Sequence, residues 1–481
     1  MNMKAIRTLS LGFLLLAAVA GEAQILTTVH DFDALVNFTN GDGAQVTSPL
    51  LSANDGGLYG TAGAGGTNGT GLVFKYTLNG VFTIVHTFSA NPNQTNADGA
   101  YPYGGLVQDT DGNFYGTTTG GGAYGNYGTV FQMTPAGAVL RLHSFNYSDG
   151  ENPGAALVPA GGGNFYGAAL LGGTNGNGSI FRVNTSGAFQ SLHDFAPNGP
   201  VTGVQNLPEN ADGSEPYGLS SGGDGWLYGT TSGGGTNGSG TIFRLNPVSG
   251  QFTVLHTFGP LDASYYNSDG ANSYASLTLI SNGVFWGTAT FGGTNGNGTI
   301  FQITTGGVFT VLHTFNLDDG SAPSSALIRG RDGNFYGTTE NFRYGSGTAF
   351  QFTTNGALTT LHYFDALNVV QSNYGWDGGN PFGGLTLGAD GYYYGTTEIY
   401  GANTNGTIFR LIYPGLSLSP LPGQQVLVSW PTNQTGFILQ VTTNLASPTW
   451  LTAQPAPVIF NDQYVVTNNT PGVTSFYRLK K

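Results

Sequence analysis

Residues 226–258 read WLYGTTSGGGTNGSGTIFRLNPVSGQFTVLHTF, and three short strings within them, Tyr-Gly-Thr, Thr-Ile-Phe-Arg and His-Thr-Phe, recur in that order along the chain. The aromatic-Gly-Thr/Ala element occurs seven times, with its aromatic at Tyr59, Tyr115, Tyr166, Tyr228, Trp286, Tyr336 and Tyr394. A phenylalanine follows each one 14 to 16 residues later, at Phe74, Phe131, Phe181, Phe243, Phe301, Phe350 and Phe409. The chain has seven histidines, and all stand in His-x-Phe elements: His30, His86, His143, His193, His256, His313 and His362. Fixed-order self-similarity at a period near 55 residues marks a repeat architecture.

Within 217–258 the pattern breaks into four stretches rich in Val, Ile, Thr, Phe and Tyr: Tyr217 to Ser220, Trp226 to Thr231, Gly240 to Leu245 and Gln251 to Phe258. Gly, Asn and Asp clusters separate them, which is the pattern of consecutive antiparallel strands joined by tight turns. Asp-Gly pairs at 111–112, 332–333 and 390–391 suit such hairpins, because both residue types tolerate left-handed backbone. Four strands in each of seven repeats predict an all-β, closed seven-bladed propeller. The first His-x-Phe, at His30, precedes any Tyr-Gly-Thr element, while Phe409 has Leu421 rather than histidine 12 residues on. The stretch Ile25 to Phe32 is therefore expected to supply the missing fourth strand of the last blade and hide its free edge.

The strings GxLYGTT, GGTNGNGTIFR and FTVLHTF resemble the GloVer tandem repeat of secreted Gloeobacter and Verrucomicrobia proteins, over about residues 25–413. The resemblance implies an exported bacterial repeat protein and brings no catalytic residues with it. Residues 1–23 agree with export: Lys4 and Arg7 precede an apolar stretch from Leu9 to Val19 and small residues suited to cleavage. That stretch is shorter than the ~20 residues that span a bilayer. The division expected is a signal at 1–23, a propeller at 24–413 and a tail at 414–481. In the tail, Trp430 on an early strand and Tyr477 on the last suggest a fibronectin type III or immunoglobulin-like sandwich, one strand short at this length.

Of 481 residues, 80 are glycine, and cysteine is absent, which removes disulfides and thiolate chemistry. Thirteen Lys+Arg against 26 Asp+Glu give a net charge of -13, too few cations to neutralise a run of phosphates, so nucleic acid is excluded as a partner. A monomer without cofactor is expected. One histidine per repeat puts the seven on separate blades, so they cannot share a metal; each is expected to anchor hydrogen bonds inside its own blade. Asp-Gly also precedes every blade, at Asp42, Asp98, Asp149, Asp212, Asp269, Asp319 and Asp377. These read as turns rather than calcium loops, since the closing glutamate of an EF-hand is lacking.

The distance from histidine to the next aromatic-Gly element varies from 23 to 35 residues, so length variation sits in the loops between blades. Residues there break the repeat and are the candidate ligand contacts: Glu209, Tyr265, Tyr266, Glu340, Arg343, Tyr344, Trp376, Glu398 and Tyr400. Exposed aromatic faces with amides and few cations suit a neutral polysaccharide. The first expectation is a secreted or cell-surface, non-enzymatic binding module for glycans or surface proteins. The alternatives are a structural envelope protein and a polysaccharide hydrolase using Glu340 and Glu398 as a carboxylate pair.

Overall fold

The structure, a computed structural model, describes residues 3–8, 14–19, 25–199, 207–341, 343, 345–364, 377–412, 417–421, 425–431, 438–443, 449–460, 463–469 and 475–480. Among them the fold is all-β, with one 3-10 turn at Pro92–Gln94 and no helix long and apolar enough to cross a membrane. Strands Met3–Thr8 and Leu14–Val19 pair as a hairpin. From residue 25 to residue 412 the strands form seven four-stranded antiparallel sheets in a propeller-like arrangement.

The fourth sheet runs Ser214–Ser221, Leu227–Gly233, Thr241–Leu245 and Phe252–Thr257, each strand pairing with the next, within a few residues of the expected bounds. The seventh consists of Leu385–Leu387, Tyr393–Thr397, Thr407–Ile412 and, from the other end of the chain, Ile25–Asp31. Ile25 lies opposite Ile412 and Asp31 opposite Thr407, so the N-terminal strand occupies the place that histidine-bearing fourth strands take elsewhere.

Each recurring string has a steric or hydrogen-bonding cause. A Cβ on the glycine after the aromatic would lie 2.3 Å from the Phe74 ring at Gly60 and 2.7 Å from the Phe131 ring at Gly116. The tip of the phenylalanine ring occupies the space where that glycine's side chain would be, so the two are kept at constant spacing. The first threonine of the element donates to a backbone carbonyl of the next sheet, Thr61 to Gly104 (3.1 Å), Thr117 to Ala155 (3.1 Å), Thr230 to Ala275 (3.0 Å), Thr288 to Ser325 (3.1 Å) and Thr338 to Pro381 (2.7 Å). Thr396 of the seventh sheet donates to Ser48, which leads into the first (3.4 Å). The rings of Tyr76 and Tyr394 also meet across that junction, at 6.4 Å.

The Asp-Gly hairpins work differently from the expectation. Only the glycine is left-handed, as at Gly112 (φ 80°), Gly333 (φ 80°) and Gly391 (φ 82°). The aspartate instead accepts the tyrosine hydroxyl four residues on: Tyr115 to Asp111 (2.7 Å), Tyr336 to Asp332 (2.9 Å) and Tyr394 to Asp390 (2.8 Å).

The C-terminal residues form a four-stranded sheet (Ser417–Leu421, Gln425–Pro431, Gln463–Asn469, Val458–Phe460) and a three-stranded one (Leu451–Thr452, Ile438–Thr442, Phe476–Lys480). That makes seven strands, one more than the length suggested, because two are only two and three residues long. Trp430, Val428, Val466 and Tyr477 pack into one core there.

Candidate functional site

The residue three positions after each Asp-Gly aspartate is left-handed in every one of the seven sheets: Gln45, Tyr101, Asn152, Glu215, Asn272, Ala322 and Asn380, with φ between 51° and 62°. Seven non-glycine residues at positive φ at one repeat position is costly backbone, held by its surroundings. The turn aims each carbonyl at the end of the second strand: Thr119 N–H donates to Tyr101 (2.9 Å), Glu340 N–H to Ala322 (3.1 Å) and Glu398 N–H to Asn380 (3.1 Å). The two glutamates are thus fixed by their own main chain at equivalent positions of the sixth and seventh sheets.

Two residues further on, the chain turns towards a shared interior. Thr47, Tyr103, Gly154, Tyr217, Tyr274, Ser324 and Phe382, one from each repeat, all line a single cavity of about 230 Å³. At ~30 Å³ per water molecule that is room for about eight waters, or one sugar ring and its substituents. Tyr217 and Tyr274 meet edge to face at 5.6 Å. The Tyr103 hydroxyl donates to Gln45 Oε1 (2.6 Å).

The glutamates adjoin this cavity. Ser324 Oγ donates to Glu340 Oε1, and the Asn380 side chain hydrogen-bonds Glu398. Burial pushes the Glu340 carboxyl above its ordinary value; the Ser324 bond opposes this and the charge of Glu398 adds to it. Glu398 is also raised by burial. The Tyr217 phenol is pushed up to about 12 by burial and by the fields of Tyr274 and Glu340. Burial and the field of Glu398 raise the Tyr103 phenol. Phenols and carboxyls from five sheets therefore act on one another around one space.

The other residues singled out in the sequence lie elsewhere. Tyr400, at φ 61°, lays its ring against Gly379, two residues from Glu398. Tyr265 and Tyr266 are exposed on a loop closed by Asp262 N–H to the Tyr266 carbonyl (2.9 Å). Glu209 is half-buried, its carbonyl accepting Gly199 N–H (2.7 Å). Arg343 pairs with Asp318 at 3.0 Å on the surface. Tyr344 and Trp376 lie outside the described residues. Sequence reasoning missed Tyr103, Tyr217 and Tyr274, because it sought variation in loop length. The available signal was a single position, five after Asp-Gly, that varies within an otherwise constant element.

The seven histidines and seven Asp-Gly aspartates prove to be one device. Each His Nε2, on the last strand of one sheet, meets the Oδ2 of the aspartate that opens the next repeat, at distances from 2.7 to 3.1 Å, so the histidines bond between successive sheets and not inside their own blade as expected. The aspartate's other oxygen accepts a backbone N–H near the end of the same strand, as with Asp33 to Asp42 (2.9 Å) and Ala196 to Asp212 (2.9 Å). A β-bulge next to the histidine recurs in all seven and turns the imidazole towards that carboxylate. Among the described residues no group of three or more His, Asp or Glu side chains is arranged to hold a metal ion.

The sequence profile of the Gloeobacter/Verrucomicrobia repeat matches residues 91–269 and 262–435. No curated relative matches the chain. Similar solved structures include a GH74 xyloglucanase from Xanthomonas campestris (12% identity, 84% of this chain and 60% of that one, TM-score 0.45). An oligogalacturonate lyase in complex with manganese is similar at 10% identity, over 82% of this chain and 98% of that one, with a TM-score of 0.44. A gluconolactonase from Xanthomonas campestris is similar at 13% identity, over 70% and 91%, with a TM-score of 0.37.

Proposed function

The chain belongs to the Gloeobacter/Verrucomicrobia repeat family, and from that premise we propose that it is an exported, non-enzymatic binding protein that holds one residue of a neutral glycan at the mouth of a propeller channel. The scaffold in this reading is a closed ring of seven blades at 24–413, preceded by a signal at 1–23 and followed by a fibronectin- or immunoglobulin-like sandwich at 414–481. Its closure is supported by the threonine bond from Thr396 to Ser48 and by the sheet that Ile25–Asp31 shares with Thr407–Ile412. It acts outside the cytoplasm or at the cell surface.

The observation that carries the binding reading is the convergence of Tyr103, Tyr217, Tyr274 and Phe382 on one cavity. Aromatic rings supply apolar faces for the C–H face of a pyranose, and phenols and serine supply hydrogen bonds to its hydroxyls. Among the described residues no Lys or Arg lines the cavity, so they offer an anionic ligand no counter-charge there. A glycan array followed by calorimetry on the best ligand tests this. Loss of binding in Tyr217→Ala, with an unchanged melting temperature, is the expected result; binding retained in Tyr217→Ala and Tyr274→Ala overturns the channel site.

A second reading rests on Glu340. A carboxyl raised by burial beside a second carboxylate is suited to donate a proton to a leaving oxygen. Release of reducing ends from a polysaccharide, abolished in Glu340→Gln, supports hydrolysis. No release alongside retained binding supports the binding protein, and neither activity supports a structural envelope role.

A further inference from the structure

The face opposite the carboxylates carries a second cleft, of about 170 Å³, between the third and fourth sheets, lined by Tyr166, Pro159, Ser221, Trp226 and Pro247 among others. Tyr166 is the third sheet's copy of the repeat tyrosine. In five sheets that tyrosine donates to an aspartate four residues earlier: Asp55, Asp111, Asp224, Asp332 and Asp390. In the fifth sheet the aspartate is replaced by Asn282 and the tyrosine by Trp286, whose indole N–H donates to Gln302 (3.1 Å) instead. Donor and acceptor changed together there. In the third sheet only the acceptor changed: Gly162 stands where aspartate is expected, and Tyr166 keeps its hydroxyl. No hydrogen bond joins that hydroxyl to a described residue, and Tyr166 is a half-buried residue of the cleft's lining.

A cation stands opposite the repeat aromatic in four of the seven sheets and glutamine in the other three. The residue paired with the repeat tyrosine across the second and third strands is Lys75 opposite Tyr59, and its ammonium lies 2.7 Å from Asp55. Arg182 is opposite Tyr166 and turns to Gln190 (2.9 Å) instead of a carboxylate. Arg244 does not itself line the cleft but lies over the ring of Trp226, which does, at 4.7 Å. The third sheet thus has the phenol and the cation of the first sheet's arrangement and lacks its anion.

We propose that this cleft binds a uronic acid residue, whose carboxylate accepts the Tyr166 hydroxyl as the turn aspartate does in the five other sheets, while the sugar ring packs on Trp226 and Pro247. At ~30 Å³ per water the cleft holds about six waters, the scale of one ring and too large for acetate to fill. The net charge of -13 repels a polyanion at long range, so the ligand is a glycan with isolated uronic acids rather than a polyuronate.

Titration of the full chain with methyl glucuronide, followed by calorimetry, tests the assignment, with methyl glucoside, acetate and N-acetylglycine in parallel. Methyl glucuronide is expected to bind; the glucoside, which lacks the carboxylate, is expected to be weaker by about ten-fold or more, as loss of a charge-assisted hydrogen bond implies, and acetate, which keeps the carboxylate but lacks the ring that packs on Trp226 and Pro247, is expected to be weaker as well. Tyr166→Phe, which conserves volume, is expected to lose a similar factor without a change in melting temperature. Gly162→Asp puts a carboxylate four residues before Tyr166, on left-handed backbone that aspartate tolerates, and is expected to weaken binding by repelling the ligand's carboxylate. Glucuronide binding that survives Tyr166→Phe, or equal binding of the glucoside, overturns the site. Equal binding of N-acetylglycine overturns the sugar and points to a peptide C-terminus. If Gly162→Asp does not fold, Tyr166→Phe alone decides.

Discussion

His86 Nε2 and Asp98 Oδ2 lie 3.1 Å apart, and Asp98 also accepts the Ser89 N–H, so one carboxylate ties the end of a sheet's last strand to the turn that begins the next repeat. Burial raises the Asp98 carboxyl, but the bonds from His86 and Ser89 outweigh it and hold the group below its ordinary value. A lowered folded value means that the unfolded chain binds more protons as pH falls. The contribution is fully present above the ordinary ~3.9 and is lost as pH falls through the lower folded value. Asp98→Asn is expected to cost about 1 to 2 kcal/mol at pH 7, with the gap to the parent closing below about pH 3. Melting temperatures of both proteins from pH 2.5 to 7 check this; a gap that persists undiminished at pH 2.5 refutes it.

Gly116 and Phe131 test the cause of the repeat spacing. A Cβ at Gly116 would stand 2.7 Å from the Phe131 ring and 2.9 Å from Leu106. Neither neighbour has a free end to move, as both are buried. Gly116→Ala is expected to destabilise by about 1 to 3 kcal/mol, the usual cost of overpacking. Phe131→Leu added to it should recover part of that loss. Denaturant midpoints of the two variants and the double variant give the coupling, and strict additivity would mean that the ring is not what excludes the side chain.

These relationships show where the sequence was legible. Glycine against phenylalanine is a contact inside one sheet at fixed separation, so it survives as a visible string; the same holds for four strands per repeat and for the fourth strand displaced to residue 25. Histidine and Asp-Gly were each visible, but their separation varies from 6 residues in His143–Asp149 to 19 in His193–Asp212, which concealed that they bond. The cavity was hidden for a related reason. Its walls come from seven repeats far apart in the chain, and only folding brings Tyr103, Tyr217 and Tyr274 to one space.

Glu340 predicts the opposite pH dependence to Asp98. Its folded value is raised, so its stabilising contribution is complete below the ordinary ~4.3 and is lost as pH rises through the folded value. Glu340→Gln keeps an acceptor for Ser324 and cannot ionise. It is therefore expected to match the parent near pH 4 and to melt higher than the parent at pH 7 to 8. Thermal unfolding across that range decides it: a variant that is less stable than the parent at pH 8 shows that the ionised carboxylate is stabilised rather than strained.

Tyr217 and Tyr274 bear on function most directly, because their edge-to-face contact at 5.6 Å makes them one surface contributed by two sheets. An aromatic platform gives ~0.5 to 1.5 kcal/mol beyond area burial, which is about two- to twelve-fold in affinity. Each tyrosine changed singly to alanine is expected to weaken glycan binding by at least that factor. Because the rings touch, the double variant should lose less than the product of the two single losses. Calorimetry on the four proteins completes the cycle. A product of independent losses would mean that the rings meet the ligand separately, and no loss in any variant would remove the sugar from the channel.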